Sequence, residues 1–417
     1  MTLTVERVTG EASLREFIEL PLRLWPADLY VPLLESSIRS WFTGASPHPE
    51  PIELVVVRDS GDTGHASATA GGDGGGSNDA SHASAPAGED SGGGRVVARS
   101  TVHTDRRLDE KLGEKLLLFG ATEFEDDAAA QALFAHLEAR ATEASASALF
   151  GPVSLLPNQS GGVITSGFDQ RGFVDSAWNP VWVPSVYESA GFERWGEADT
   201  FIVRPGRLSD APRRPSLDEW QAAGVRLEYG SKRRMRTLIP ELLELLNASF
   251  AQLPYYTQIT AAEMSAATDG LAFLLDERLL LLARDARSHR ATAFVLVIPD
   301  ITEFVQKVRG RLSLPRQLQL LATRARYRRE AVLVIQGTDP PRQGQGILSL
   351  LTRQLQHNLR ERGYSALRST YIDRDNPASA AAFTRFGGRP LQAYTFYRKA
   401  VPRAADSPTT PNEEVTS

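Results

Sequence analysis

The stretch from Ala331 to Leu348 holds the residues best arranged for chemistry in this chain. An apolar, β-branched run, Ala331-Val-Leu-Val-Ile335, leads through Gln336, Gly337 and Thr338 into Pro340-Pro341. Gln343-Gly344-Gln345-Gly346 then opens directly into a helical pattern of Ile347, Leu350, Leu351 and Leu355. A glycine-punctuated loop at a helix start turns consecutive backbone N–H groups outward at the positive end of the helix dipole, which makes an anion cradle. The chemistry predicted is binding of a phosphate-bearing cofactor. A dinucleotide fingerprint would need a third glycine where Ser349 stands, and a Walker loop would need Gly-Lys-Ser/Thr, which is absent.

A second motif follows after a strand-like run, Leu367–Ile372. It reads Asn376-x-x-Ser379-Ala380-x-x-Phe383-x-x-Phe386-Gly387-Gly388. The two motifs in this order resemble the GNAT N-acetyltransferase superfamily. The resemblance implies an α+β fold of mixed, twisted sheets flanked by helices, with acetyl-CoA as cofactor. It implies that Gln343, Gly344, Gln345, Gly346, Ile347 and Leu348 hold the coenzyme A pyrophosphate. It also implies that Gln336, Gly337 and Thr338 pair with the pantetheine as an added pseudo-strand, with Asn376 and the Phe383 helix closing the far side. Gly337 suits a bulge or a close approach. The implied reaction is direct attack of an amine on the thioester, without a covalent enzyme intermediate.

The sequence departs from that family pattern at three places. Leu348 stands where the motif has Gly or Ala, which predicts crowding at the helix start. Phe383 replaces the tyrosine that commonly protonates the leaving thiolate; Tyr371, Tyr394 and Tyr397 are the alternative phenols. No motif fixes a base. Asp300 and Glu303, after the run Ala291–Ile298, and Asp373, after Leu367–Ile372, are the candidates to deprotonate an ammonium.

Other chemistries find little support. The chain has no cysteine, which removes disulfides, thiolate nucleophiles and cysteine metal sites. Its seven histidines show neither H-x-x-H nor H-E-x-x-H spacing, so no metal is expected. No G-x-S-x-G elbow is present. The N-terminus lacks a basic segment followed by an apolar one, and no apolar run is long enough to span a bilayer, so a cytoplasmic protein without a membrane partner is expected. The net charge of −5 names no partner. Two basic stretches stand out, Lys232–Arg236 and Arg324–Arg329, either as solvated faces or as an electropositive rim for phosphate or RNA.

The elements that must position these residues recur along the 417-residue chain. Residues 1–204 and 225–400 follow one β-α-β-β-β-α-β-α-β plan, which suggests an internal duplication into two GNAT-like domains. Residues 205–224 read as a linker and 401–417 as a polar tail. Residues 60–94, almost wholly small and polar, read as a disordered insert in a hairpin. The first half lacks the glycine loop. Phe124-Glu125-Asp126-Asp127 stands in its place, and those carboxylates favour the helix N-terminus but repel a pyrophosphate. Its Tyr187 keeps the tyrosine-to-Gly191-Phe192 spacing without a cofactor to serve. The first half is thus expected to be a degenerate domain.

The leading expectation is a coenzyme-A-dependent N-acyltransferase that acetylates the amine of a small metabolite. A second keeps the fold and takes the acyl group from aminoacyl-tRNA, with the arginine stretches on RNA. A third is a catalytically silent binding or scaffold protein.

Overall fold

The computed structural model describes residues 2–402 apart from 62–92, 157–160, 208–211, 254, 269–273 and 328. Nearly all of the expected insert and most of the tail therefore lie outside the described residues. The first half runs β1 (Leu3–Arg7), α1 (Glu11–Leu24), α2 (Glu35–Thr43), β2 (Glu53–Asp59), β3 (Arg95–His103), α3 (Arg106–Leu112), β4 (Leu116–Phe124) and α4 (Asp127–Glu143). It ends with β5 (Ala148–Gly151), β6 (Val163–Ser166), α5 (Val183–Ser189) and β7 (Glu193–Val203). After α6 (Leu217–Ala222) the order repeats as β8 (Val225–Tyr229), α7 (Met235–Phe250), α8 (Ala261–Thr268), β9 (Leu280–Asp285), β10 (Ala291–Pro299), α9 (Thr302–Lys307) and α10 (Leu314–Thr323). The second half closes with β11 (Glu330–Thr338), α11 (Ile347–Glu361), β12 (Ala366–Ser369), β13 (Ile372–Asp373), α12 (Pro377–Arg385) and β14 (Arg389–Ala400).

All strands join one mixed sheet whose main order is β1-β2-β3-β4-β5-β14-β7-β12-β11-β10-β9-β8. The two ends mirror each other. Antiparallel hairpins lead inward on both sides to a parallel pair, β4 with β5 and β11 with β12. The halves exchange their last strands at the centre. β14, from the end of the chain, lies against β5 of the first half, and β7 lies against β12 of the second. The two exchanged strands pair with each other from Arg389↔Ile202 to Arg398↔Glu193.

Helix periodicity explains how the sheet is covered. In α11, Ile347, Leu350, Leu351, Leu355 and Leu359 are buried at helical spacing and join Leu281, Val295, Leu333 and Leu367 in one core. In α4, Ala130, Leu133, Phe134, Leu137 and Ala141 do the same over β2 to β5. Each fully buried Leu or Phe contributes about 1.5–3 kcal/mol. α7 covers the opposite face, with Leu238, Leu242, Leu245 and Leu246 against Leu280, Leu282 and Phe294.

Candidate functional site

Beside the glycine loop the sheet opens. β11 and β12 pair in parallel from Glu330↔Ala366 to Leu333↔Ser369, and the pairing then stops. β12 is drawn away by the exchanged strand: Leu367 and Arg368 pair with Val203 and Ile202, and the Phe201 N–H donates to Ser369 Oγ at 2.8 Å. β13 continues along β7, with Ile372 opposite Asp199. β11 instead stays with β10, and a bulge at Val334 interrupts their register. Thr370 sits in the crotch, where its N–H donates to Leu333 O at 3.2 Å and its hydroxyl to Val334 O at 3.0 Å.

Beyond that point one edge of β11 has no strand beside it among the described residues. The Asp339 N–H donates to Thr292 O on the β10 side at 2.8 Å. Alternation along the strand then turns the N–H and C=O groups of Gln336 and Thr338 toward the open edge. Gly337 faces the other way in packing. A Cβ there would meet Ser249 Oγ at 2.8 Å and Phe294 at 2.9 Å, so the glycine serves close approach of α7 while the bulge falls three residues earlier.

The gap leads to the loop. Gly344 and Gly346 adopt φ of +75° and +77°, and Gly346 is the N-cap residue of α11. Open space surrounds both positions where a Cβ would project. The glutamine side chains fold back on the turn: Gln343 Nε2 donates to Thr338 O at 3.2 Å and Gln345 Nε2 to Pro341 O at 3.0 Å. Arg342 pins the turn from below. It donates to Asp285 at 2.8 Å, to Ala223 O at 2.9 Å and to Gln345 Oε1 at 2.8 Å. Among the described residues, no partner accepts from the N–H groups of residues 344–349. Leu348 turns onto the core beneath α11, which relieves the crowding expected at the helix start. Free amides, a helix N-terminus and clear space fit a pyrophosphate.

A cleft lies where the halves meet. Trp195, Tyr255, Tyr371, Tyr394 and Phe396 wall it, Gly161 and Gly162 contribute backbone, and Asp373 supplies a carboxylate. Tyr255 donates to Asp373 Oδ2 at 2.7 Å. Burial, followed by that hydrogen bond, holds the Tyr255 phenol well above its ordinary range. Tyr371 and Tyr394 meet edge to face at 4.6 Å.

The structure separates the three expected bases. Only Asp373 faces this cleft. Asp300 is buried and engaged by Arg171 at 2.9 Å and by the Thr302 N–H, in a network that also ties Arg171 to Glu330. It adjoins the start of β11, roughly 26 Å of strand from the loop at ~3.3 Å per residue. Glu303 is exposed on α9. Neither is placed to act as the base.

Two of the expected cofactor residues, Phe383 and Asn376, have partners within the chain. Phe383 is buried and stacks on Phe201 at 5.8 Å, so its ring is core between the halves and not a cofactor surface. Asn376 Oδ1 accepts from the Ser379 N–H at 3.3 Å, which caps the start of its own helix. Of the alternative phenols, Tyr397 belongs to the first half's core, stacked on Tyr187 at 4.6 Å. The contribution of Trp195 and Gly161–Gly162 had no signal in the sequence, because strand exchange brings them to the site.

The corresponding place in the first half is closed. β4 and β5 stay together as the Val153 N–H donates to Phe119 O at 2.8 Å, and the Gly162 N–H donates to Pro152 O at 2.7 Å. At the α4 start, Asp126 accepts from the Ala129 N–H at 2.9 Å, and Glu125 pairs with Arg95. Tyr187 is buried among Phe119, Phe124, Phe134 and Phe192. Elsewhere, His48, Glu50 and Asp105 place ligand-type atoms within 4.8 Å of one another. The Arg107 guanidinium, 2.8 Å from Asp105, already supplies the positive charge there.

No family model matches the chain. It is 24% identical over 315 residues to protein YghO of Escherichia coli, covering 74% of this chain and 80% of that one. It is 22% identical over 413 residues to a bacterial ceramide synthase of Caulobacter vibrioides, covering 96% and 98%. Among solved structures, a tandem GNAT protein from the clavulanic acid biosynthesis pathway superposes with a TM-score of 0.56 at 12% identity, over 97% of this chain and all of that one. An N-acetyltransferase from Sphaerobacter thermophilus gives 0.50 at 14%, over 96% of both. The opened parallel pair, the loop beyond it and these full-length likenesses lead to one conclusion: the chain has the GNAT N-acetyltransferase fold, in tandem.

Proposed function

We propose that the protein is a coenzyme-A-thioester-dependent N-acyltransferase whose acceptor is a primary amine on an apolar body. The observation that carries this reading is the gap between β11 and β12, which runs from the Thr370 crotch to the free amides of the glycine loop. Gln336 and Thr338 would pair with the pantetheine amides, and residues 344–349 would hold the pyrophosphate. When bound, the thioester, acetyl-CoA in the simplest case, supplies an activated acyl carbonyl.

The remaining work falls to the cleft. Its aromatic walls exclude water and accept an apolar body. Asp373 takes a proton from the substrate ammonium, and Tyr255 holds that carboxylate in place. The freed amine forms the N–C bond as the C–S bond breaks. The nitrogen's second proton goes to the sulfur, so the products are an amide and a free thiol. A ceramide is the amide of a long-chain amino alcohol, and the similarity to the Caulobacter protein favours an acceptor of that kind over a small polar metabolite.

The test is thiol release by the full chain with acetyl-CoA or a long-chain acyl-CoA, each offered small polar amines and a long-chain amino alcohol. Release that requires the amine and is fastest with the long-chain acceptor supports the reading. Transfer from a charged tRNA, with no response to either thioester, would replace it with the aminoacyl-tRNA reading. No turnover with any donor would leave a binding protein.

A further inference from the structure

We propose that α10 and the basic segment around it form a docking surface for an anionic lipid bilayer. This inference is independent of the acyl-transfer reading. In a chain of net charge −5, residues 304–329 contain eight basic side chains and no acidic one. Such a concentration of one sign creates a local positive field that the overall charge conceals. Arg311 is engaged by Glu19 and Glu35. Among the described residues, exposed Lys307, Arg309, Arg326 and Arg329 make no ion pair.

The helix between these cations is turned the unusual way round. Leu320 is fully buried and fixes α10 to Val305, Phe304 and Ile301 beneath it. Leu314, Leu318, Leu321 and Ala322, at i, i+4, i+7 and i+8, share a different face. Leu314 and Leu318 are 75% and 66% exposed, and Leu321 is half-buried. A single exposed leucine needs no explanation. Two, one turn apart on an apolar stripe and flanked by unpaired cations, have the pattern of a helix that lies in a membrane interface, with leucines among the acyl chains and cations on the headgroups.

The charge alone would also suit RNA. The leucines decide against it, because RNA recognition uses rings and guanidinium planes for stacking. The segment's two rings are not free to stack on bases: Phe304 is buried, and Tyr327 is half-buried and packed edge-on against it at 5.6 Å. No helix of the described residues is long and apolar enough to cross a membrane, so the mode is interfacial.

The experiment is co-sedimentation of the full chain with vesicles of phosphatidylcholine alone or mixed with phosphatidylglycerol, at low and high salt. Binding should require the anionic lipid and weaken with salt. A Leu314→Asp/Leu318→Asp variant should lose at least about tenfold in vesicle affinity with an unchanged melting temperature, since both side chains are exposed. A Lys307→Glu/Arg309→Glu/Arg326→Glu variant should lose the salt dependence together with the binding. Absence of vesicle binding by the parent overturns the proposal, as does parental binding by the leucine variant. Tighter binding to a structured RNA, kept by the leucine variant, overturns it in favour of nucleic acid.

Discussion

The hydrogen bond from the Tyr255 hydroxyl to Asp373 Oδ2 crosses the open part of the sheet. Tyr255 follows α7, which packs on β10 and β11, whereas Asp373 lies in β13, which pairs with the exchanged strand β7. One phenol and one carboxylate therefore tie together the two arms that diverge at Leu333 and Ser369. Asp373 also accepts from the Asp375 N–H at 2.7 Å, so its orientation is fixed from two sides.

If Asp373 is the proton acceptor, Asp373→Asn should lower kcat by about 10²–10⁴ and leave the affinity for the thioester unchanged. Tyr255→Phe removes a hydrogen bond to a charged group and should cost about ten- to a hundredfold. Steady-state thiol release with a saturating amine reads both. An Asp373→Asn enzyme as fast as the parent would move proton acceptance to another group or to water.

The loop glycines separate conformational from steric and electrostatic effects. Gly344→Ala and Gly346→Ala force a Cβ into left-handed backbone at a cost of about 1–2 kcal/mol each, but the Cβ enters open space. Melting temperatures should fall while coenzyme A still binds. Gly344→Asp/Gly346→Asp adds two charges where the phosphates would sit and should abolish binding in isothermal titration. Equal affinity for the aspartate variant and the parent would refute the anion-cradle reading.

The same titration gives the stoichiometry. The first-half counterpart of the gap is closed by Val153 and Gly162, and Asp126 occupies the amide at its helix start. One coenzyme A per chain is expected. Two would require the first half to open at the Val153–Phe119 bond.

Much of this site was legible in the sequence because its signals are local. Glycines at the start of α11 and the period of Ile347, Leu350, Leu351 and Leu355 specify a loop and a helix without reference to the remainder of the chain. The boundaries of α4, from Asp127 to Glu143, follow from an acidic N-terminus and the spacing of its apolar residues. The sheet's centre is different. Nothing in β14 itself says that it passes beyond its own half to reach β5, and so nothing local marks Trp195 as a neighbour of Asp373. The roles of Phe383 and Asp300 misled for a related reason. Motif spacing put Phe383 beside the expected cofactor, and a position just after a strand made Asp300 a candidate base, but Phe201 from the first half stacks on one and Arg171 pairs with the other. Such partners, distant in sequence, decide whether a residue is core, ion pair or catalyst.

Stability should fall in acid partly through His103. Burial depresses this imidazole from 6.5 to about 4; its Nε2 lies 2.7 Å from Leu155 O, and His48 stands edge-on at 5.3 Å with Asp105 and Arg107 beyond. Above pH 6.5 the ring is neutral in both folded and unfolded chains and has no effect. Between 6.5 and about 4 the unfolded chain binds a proton that the folded chain refuses, so stability falls with pH. The full effect is about 3 kcal/mol and levels off below pH 4. Denaturant melts of the parent and His103→Gln across this range should show a shallower decline in the variant. Parallel curves would mean that His103 is not the group responsible.

The exchanged strands make a prediction about the halves themselves. A fragment of residues 1–204 keeps β1 to β7 but loses β14, which bonds to β5, β6 and β7 at once. It also loses Tyr397, a fully buried ring stacked on Tyr187, and Lys399, which bonds Glu138 of α4 at 2.6 Å. Deleting a buried aromatic ring alone costs about 3–5 kcal/mol, a large share of the 5–15 kcal/mol that holds a typical domain together. β5 would further present an unpaired edge, which invites association. The fragment should therefore be aggregated or protease-sensitive when expressed alone. Co-expression with residues 205–417 should recover a protected complex, because β14 can then bind in trans. A monomeric, protease-resistant fragment 1–204 would show that β7 can fold back onto β5 and that the exchange is dispensable for the first half's stability.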